Sequence, residues 1–181
     1  MLVGLTGTNG AGKTSGADYL QELGFHYLSL SDEIRLELAD RNESPTRENL
    51  TRVGNELRAR FGASVLARRA IARLAGESDY VIDSIRNPSE VAALRELPGF
   101  RLVHFDAPLA ERYRRAVERK DERTPLSFEE FSEQEQREME SPDQTTQQLR
   151  ATFRLADETL LNSGSLAEMR AKLDRLIARG R

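Results

Sequence analysis

From Gly7 the chain reads Gly-Thr-Asn-Gly-Ala-Gly-Lys-Thr, which meets the spacing G-x-x-x-x-G-K-[ST] at every fixed position. Glycines there allow successive backbone N–H groups to turn toward one anion, where side chains would obstruct the approach. A helix that starts directly behind the loop adds the positive end of its dipole. Lys13 supplies a point charge for terminal phosphates and Thr14 a hydroxyl for Mg²⁺. Gly7, Thr8, Asn9, Gly10, Ala11, Gly12, Lys13, Thr14 and Ser15 are therefore expected to bind ATP with Mg²⁺. A chance glycine-rich turn is the weaker reading, because the motif sits between an apolar run and a helical pattern.

Other charged residues fall where such a loop would need them. Asp83 ends the apolar run Tyr80 to Asp83, a position from which a carboxylate reaches Mg²⁺; a helix-capping role is the alternative. Arg35 and Arg86 follow two apolar runs, and a planar fork of donors suits a phosphate. Arg58, in Gly54-Asn55-Glu56-Leu57-Arg58, reads on its own as salt-bridged and beside the other two as a third member of an acceptor pocket. Asp32 would act as general base on a hydroxyl acceptor. On a monophosphate acceptor, already ionised at neutral pH, Asp32 would orient Arg35 or a Mg²⁺-bound water. Arg112, Arg115, Arg119 and Arg123 recur on one helical face. Arg115 and Arg119 are the pair expected to act on the transferring group; an ordinary charged surface is the alternative.

Five apolar runs must position these groups: Leu2 to Thr6, Phe25 to Leu30, Tyr80 to Asp83, Phe100 to Phe105 and Glu158 to Leu161. Helical patterns separate them, which predicts an α/β fold with a five-stranded parallel sheet covered on both faces. Ser127-x-x-Glu130, Ser141-Pro142-x-Gln144 and Ser165-x-x-Glu168 read as capping boxes, and Asn87-Pro88 as a cap followed by a first-turn proline. Two helical insertions, residues 32–74 and 107–153, are expected at the carboxyl edge of the sheet, one for the acceptor and one as a lid. Residues 1–181 then form a single domain, since 181 residues suffice for one buried core and are short for two.

Composition narrows the chemistry. The chain has no cysteine, which excludes disulfides, thiolate metal sites and thiol catalysis. His26 and His104 fall in or beside predicted strands and read as packed residues. A formal charge of −3 gives no general reason to bind nucleic acid or an anionic membrane. No apolar stretch is long enough to span a bilayer, and a cytoplasmic location is expected.

Ser31-Asp32-Glu33-Ile34-Arg35 and Val81-Ile82-Asp83-Ser84-Ile85-Arg86 resemble the two phosphate-reading elements of adenylate kinase and related nucleoside monophosphate kinases. Here one residue fewer separates Asp83 from Arg86, and Pro88 follows the arginine rather than preceding it. Gly4-Leu5-Thr6-Gly7 and Ala156-Asp157-x-x-x-x-Asn162-x-Gly164-Ser165 resemble dephospho-coenzyme A kinase, although Leu30 stands where that family has a first aspartate. Both resemblances imply a P-loop NTPase fold and ATP-Mg²⁺-dependent phosphoryl transfer. The first implies a nucleoside monophosphate or similar small phosphorylated acceptor, the second a ribose hydroxyl. A P-loop ATPase that switches a macromolecular partner is the reading of another class, and a second phosphate pocket argues against it.

Overall fold

The computed structural model describes residues 1–76, 78–118, 127–139, 143 and 146–180. The apolar runs become strands β1 (Leu2–Gly7), β2 (His26–Ser29), β3 (Tyr80–Asp83), β4 (Phe100–Asp106) and β5 (Glu158–Leu161). All pair in parallel, in the order β2-β3-β1-β4-β5. β1 is thus central, and β3 is buried along its whole length. Such continuous burial is what helices on both faces demand, and it explains why the inner strands β1 and β3 read as unbroken apolar runs rather than alternating ones, while the edge strands β2 and β5 are only partly buried.

The helices divide between the two faces. On one, α2 (Leu30–Asp40), α3 (Arg47–Phe61), α4 (Val65–Ile71) and α5 (Pro88–Leu94) pack Leu38, Leu57, Leu66, Val91 and Leu94 with Ile82 and Leu102 of the sheet. On the other, α1 (Lys13–Glu22) and α9 (Leu166–Gly180) pack Ala17, Leu20, Leu173 and Leu176 with Val3, Leu5 and Phe105. Each fully buried leucine contributes about 1.5–3 kcal/mol relative to an exposed one, so both layers stabilise the sheet that carries the loop.

The expected first insertion begins two residues early. Leu30 already belongs to α2, because the Ser29 side chain accepts from the Ser31 N–H and starts the helix directly at the strand end. The second insertion contains α6 (Leu109–Glu118), α7 (Phe128–Met139) and α8 (Leu149–Phe153). Reciprocal caps form at Ser127/Glu130 and at Ser165/Glu168, and at Asn87 with Glu90; the expected cap at Ser141 and Gln144 lies outside the described residues. His26 rests against Tyr80 with ring centroids 5.3 Å apart. His104 stacks on Phe153 at 4.0 Å, and burial pushes its imidazole below the ordinary histidine range. Among the described residues no helix is long and apolar enough to cross a membrane.

Candidate active site

Central β1 delivers the glycine loop to the carboxyl edge of the sheet, and α1 leaves it at Lys13. Gly10 and Gly12 hold φ of 76° and 101°, values that side-chain-bearing residues adopt only with strain. Neither position has room for a side chain. A Cβ on Gly10 would overlap the Arg112 carbonyl, and one on Gly12 would overlap the Asn162 amide. The protein therefore wraps the outer side of the loop tightly. Gly12 is the N-cap of α1 and makes no side-chain cap, which leaves the helix start for an anion. Lys13 Nζ donates to the carbonyls of Gly7 at 2.8 Å and Thr8 at 2.9 Å, so its charge is held over the loop.

The loop lines a cleft of about 670 Å³ together with Thr14, Ser15, Asp83, Arg35, Arg58, Arg86 and Arg115. Asp83 is buried at the end of β3 and accepts from the Ser84 N–H at 2.6 Å. Ser84 itself has φ 66°, an unusual conformation for a non-glycine residue that cleft and switch regions retain. A hydroxyl wall continues from it: Ser29 Oγ lies 3.1 Å from Ser84 Oγ and 2.8 Å from Ser31 Oγ. Beside them, burial and then the Asp83 carboxylate push the Tyr27 phenol up. Thr14 and Asp83 present hard oxygen donors to the cleft, a donor set that fits Mg²⁺.

The three acceptor-side arginines are not equivalent. Arg35 Nη1 donates to Asp32 Oδ1 at 2.8 Å and to Ser31 Oγ at 2.7 Å, with both charged side chains about two-fifths exposed. Such a pair is worth about 0–1 kcal/mol, so an incoming phosphate competes for Arg35 at little cost. Arg86 Nη1 donates to Gln147 Oε1 at 3.2 Å. Arg58 lines the cleft but is buried, and its Nε and Nη2 donate to the wholly buried Glu90 at 3.1 and 2.9 Å. Breaking a buried pair costs about 3–5 kcal/mol, so Arg58 stays with Glu90 and contributes a fixed charge.

The expected row of four cations divides. Arg112 is buried at the base of α6, donating to the Ala107 carbonyl at 2.7 Å and gripping Glu135 of α7 with both terminal nitrogens. It joins the two helices and is absent from the cleft lining. Arg115 donates to the carbonyls of Gly10 at 3.4 Å and Asn162 at 2.8 Å, and to Glu111. It reaches the phosphate loop from outside while still lining the cleft. Arg119 and Arg123 lie outside the described residues. Two participants escaped the sequence reading. Asn162 donates from Nδ2 to the Ala11 carbonyl at 2.9 Å, a loop brace that its place in the Ala156-to-Ser165 stretch marked without explaining. Glu90, three residues past the Asn87 cap, carried the signal of a capping box.

Comparisons with known proteins bear on family and fold. A family model described as an AAA domain, AAA_18, matches residues 3–141. The UPF0200 protein of Methanoregula boonei is 31% identical over 179 residues, covering 97% of this chain and 95% of that one. The chain belongs to the AAA_18 and UPF0200 families. The UPF0200/UPF0201 protein of Archaeoglobus fulgidus is also 31% identical, over 173 residues and 92% of this chain, but the chain spans only 52% of that protein's length. Among solved structures, the shikimate kinase from Bacteroides thetaiotaomicron superposes with a TM-score of 0.60 at 16% identity, covering 98% of each chain. At that identity the likeness is one of fold: an AAA_18 chain with a P-loop kinase-like architecture. It does not single out adenylate kinase.

Proposed function

We propose that this UPF0200 chain transfers the terminal phosphoryl group of ATP to a small phosphorylated acceptor of the nucleoside monophosphate type. The reading is carried by one observation: the phosphate loop and the cations Arg35, Arg58 and Arg86 line the same cleft. A hydrolytic switch has no need of that second cationic cluster. The P-loop kinase-like fold agrees with phosphoryl transfer, and the acceptor is our inference from the arginines.

In this reading the loop amides and Lys13 bind the donor phosphates, and Thr14 and Asp83 hold Mg²⁺. The chemistry a bound Mg²⁺ supplies is neutralisation of charge across the terminal phosphates. Arg35 and Arg86 fix the acceptor phosphate, with Arg58 adding charge from behind. Arg115 braces the loop from α6 and turns its positive charge toward the transferring group. Asp32, paired with Arg35, orients that arginine instead of abstracting a proton.

Two variants measured on one active acceptor test the assignment. Arg86→Lys should raise the acceptor KM by about tenfold or more with donor KM unchanged, because an ammonium cannot reproduce the fork of a guanidinium. Asp32→Asn should lower kcat only a fewfold. The opposite ordering, with Asp32→Asn slowed by about 10²–10⁴ as for a lost general base and Arg86→Lys near wild type, would replace the monophosphate with a hydroxyl acceptor.

A further inference from the structure

We propose that Glu90 is the positioning residue of the acceptor side, a single buried carboxylate that sets where both Arg86 and Arg58 stand; the role rests on the reading of this cleft as a phosphoryl-transfer site. Glu90 has no exposed surface. One oxygen accepts from Arg58 Nε and Nη2, at 3.1 and 2.9 Å. The other accepts from the backbone N–H groups of Arg86 and Asn87, at 2.8 and 3.1 Å. Capping of α5 requires only the bond to Asn87. The remaining three bonds tie the carboxylate to two cleft arginines that come from different elements, one from α3 and one from the turn after β3.

The same turn receives the end of the second insertion. The Arg86 carbonyl accepts from the Gln148 N–H at 2.8 Å, Asn87 Nδ2 donates to the Thr146 carbonyl at 2.7 Å, and Gln147 Oε1 accepts from Arg86 Nη1 at 3.2 Å. Both insertions and the sheet edge thus meet at the backbone that Glu90 holds. Nothing in this arrangement requires Glu90 to touch a ligand, and it is absent from the cleft lining. Its effect is on geometry: the Arg86 backbone direction decides where the guanidinium fork points.

The role makes a prediction opposite in sign to simple electrostatics. Glu90→Gln removes one negative charge beside an anion site, which by Coulomb attraction alone would tighten phosphate binding. The amide, however, must turn an NH₂ group toward either the Arg58 guanidinium or the two backbone N–H groups, setting donor against donor. In one orientation the Arg58 pair is lost and in the other the hold on the Arg86 backbone, so the two cleft arginines no longer share one anchor and binding weakens.

The experiment follows Arg Nε–H and backbone NMR signals while inorganic phosphate is added to protein whose donor site is filled with Mg²⁺ and the imido analogue of ATP. Wild type should show a saturable shift at Arg86. Glu90→Gln should need about tenfold more phosphate, since small misplacements of binding groups carry penalties of that order or larger, while affinity for the ATP analogue stays within twofold. In case Glu90→Gln does not fold, Arg58→Met/Glu90→Met replaces the pair with apolar residues of similar volume, an exchange that buried pairs commonly tolerate, and should need severalfold more phosphate at Arg86 than Arg58→Met, which loses the same cation and keeps Glu90. Unchanged or tighter phosphate binding in a folded variant overturns the positioning role and leaves the phosphorylated-acceptor reading intact. A wild type without any saturable shift at Arg86 overturns that reading, and the role of Glu90 with it.

Discussion

Lys13 already leans over the loop through the Gly7 and Thr8 carbonyls, so in the proposed function its charge would meet the donor phosphates without rearrangement. Lys13→Ala should lower turnover by about 100-fold or more, the scale of losing one preorganised charge at a transition state. Stability should stay within about 1 kcal/mol, because the side chain is outside both apolar layers. Steady-state kinetics beside a thermal melt separates the two effects. His104 makes a prediction on stability instead. Its folded-state pKa lies below the ordinary value because burial against Phe153 disfavours the charged form. As pH falls, the unfolded chain therefore takes up the proton before the folded one does. The contribution of His104 is present in full above about pH 6.5 and is lost as pH falls through the depressed folded value. Melting temperature recorded from neutral to mildly acidic pH should fall less in His104→Gln than in wild type.

At the scale of elements, α6 is fastened to the phosphate loop by Arg115, and its backbone approaches the loop closely at Gly10. Gly10→Ala forces a Cβ into the Arg112 carbonyl at a φ of 76°. It should cost about 1–3 kcal/mol of stability and weaken ATP binding in the same variant, measured by melting with and without nucleotide. These elements differ in how far they could be read from residues alone. Tyr80 to Asp83 and Glu158 to Leu161 begin and end where expected; for the first the reason is that a strand buried on both faces must be a short apolar run, whereas the second is an edge strand that buries only Leu160. The end of β2 was misjudged because Leu30 is apolar in either a strand or a helix, and only the Ser29 cap decides between them. The phosphate loop was legible because its spacing is dictated by backbone geometry. Arg112 was not, because a cation at helical spacing looks the same whether it faces solvent or Glu135 across an insertion. The pairing of Arg58 with Glu90 joins residues 32 apart in sequence, and no local pattern encodes it.

The whole molecule places a phosphate-loop motif and a cluster of arginines in one cleft, between two helical insertions on a P-loop NTPase-like sheet. In the proposed function the second cationic group holds an acceptor, so that ATP turnover is tied to the presence of that acceptor. The direct test incubates wild type and Lys13→Ala with Mg²⁺ and γ-labelled ATP. Each is given a panel of ribo- and deoxyribonucleoside monophosphates or dephospho-coenzyme A, and one reaction receives no acceptor. Label should move to at least one nucleoside monophosphate with wild type, require Lys13, and be released as free phosphate only slowly when no acceptor is added. Release of free phosphate at the same rate with and without every acceptor, and no labelled small-molecule product, would contradict the account and favour an ATP-driven switch.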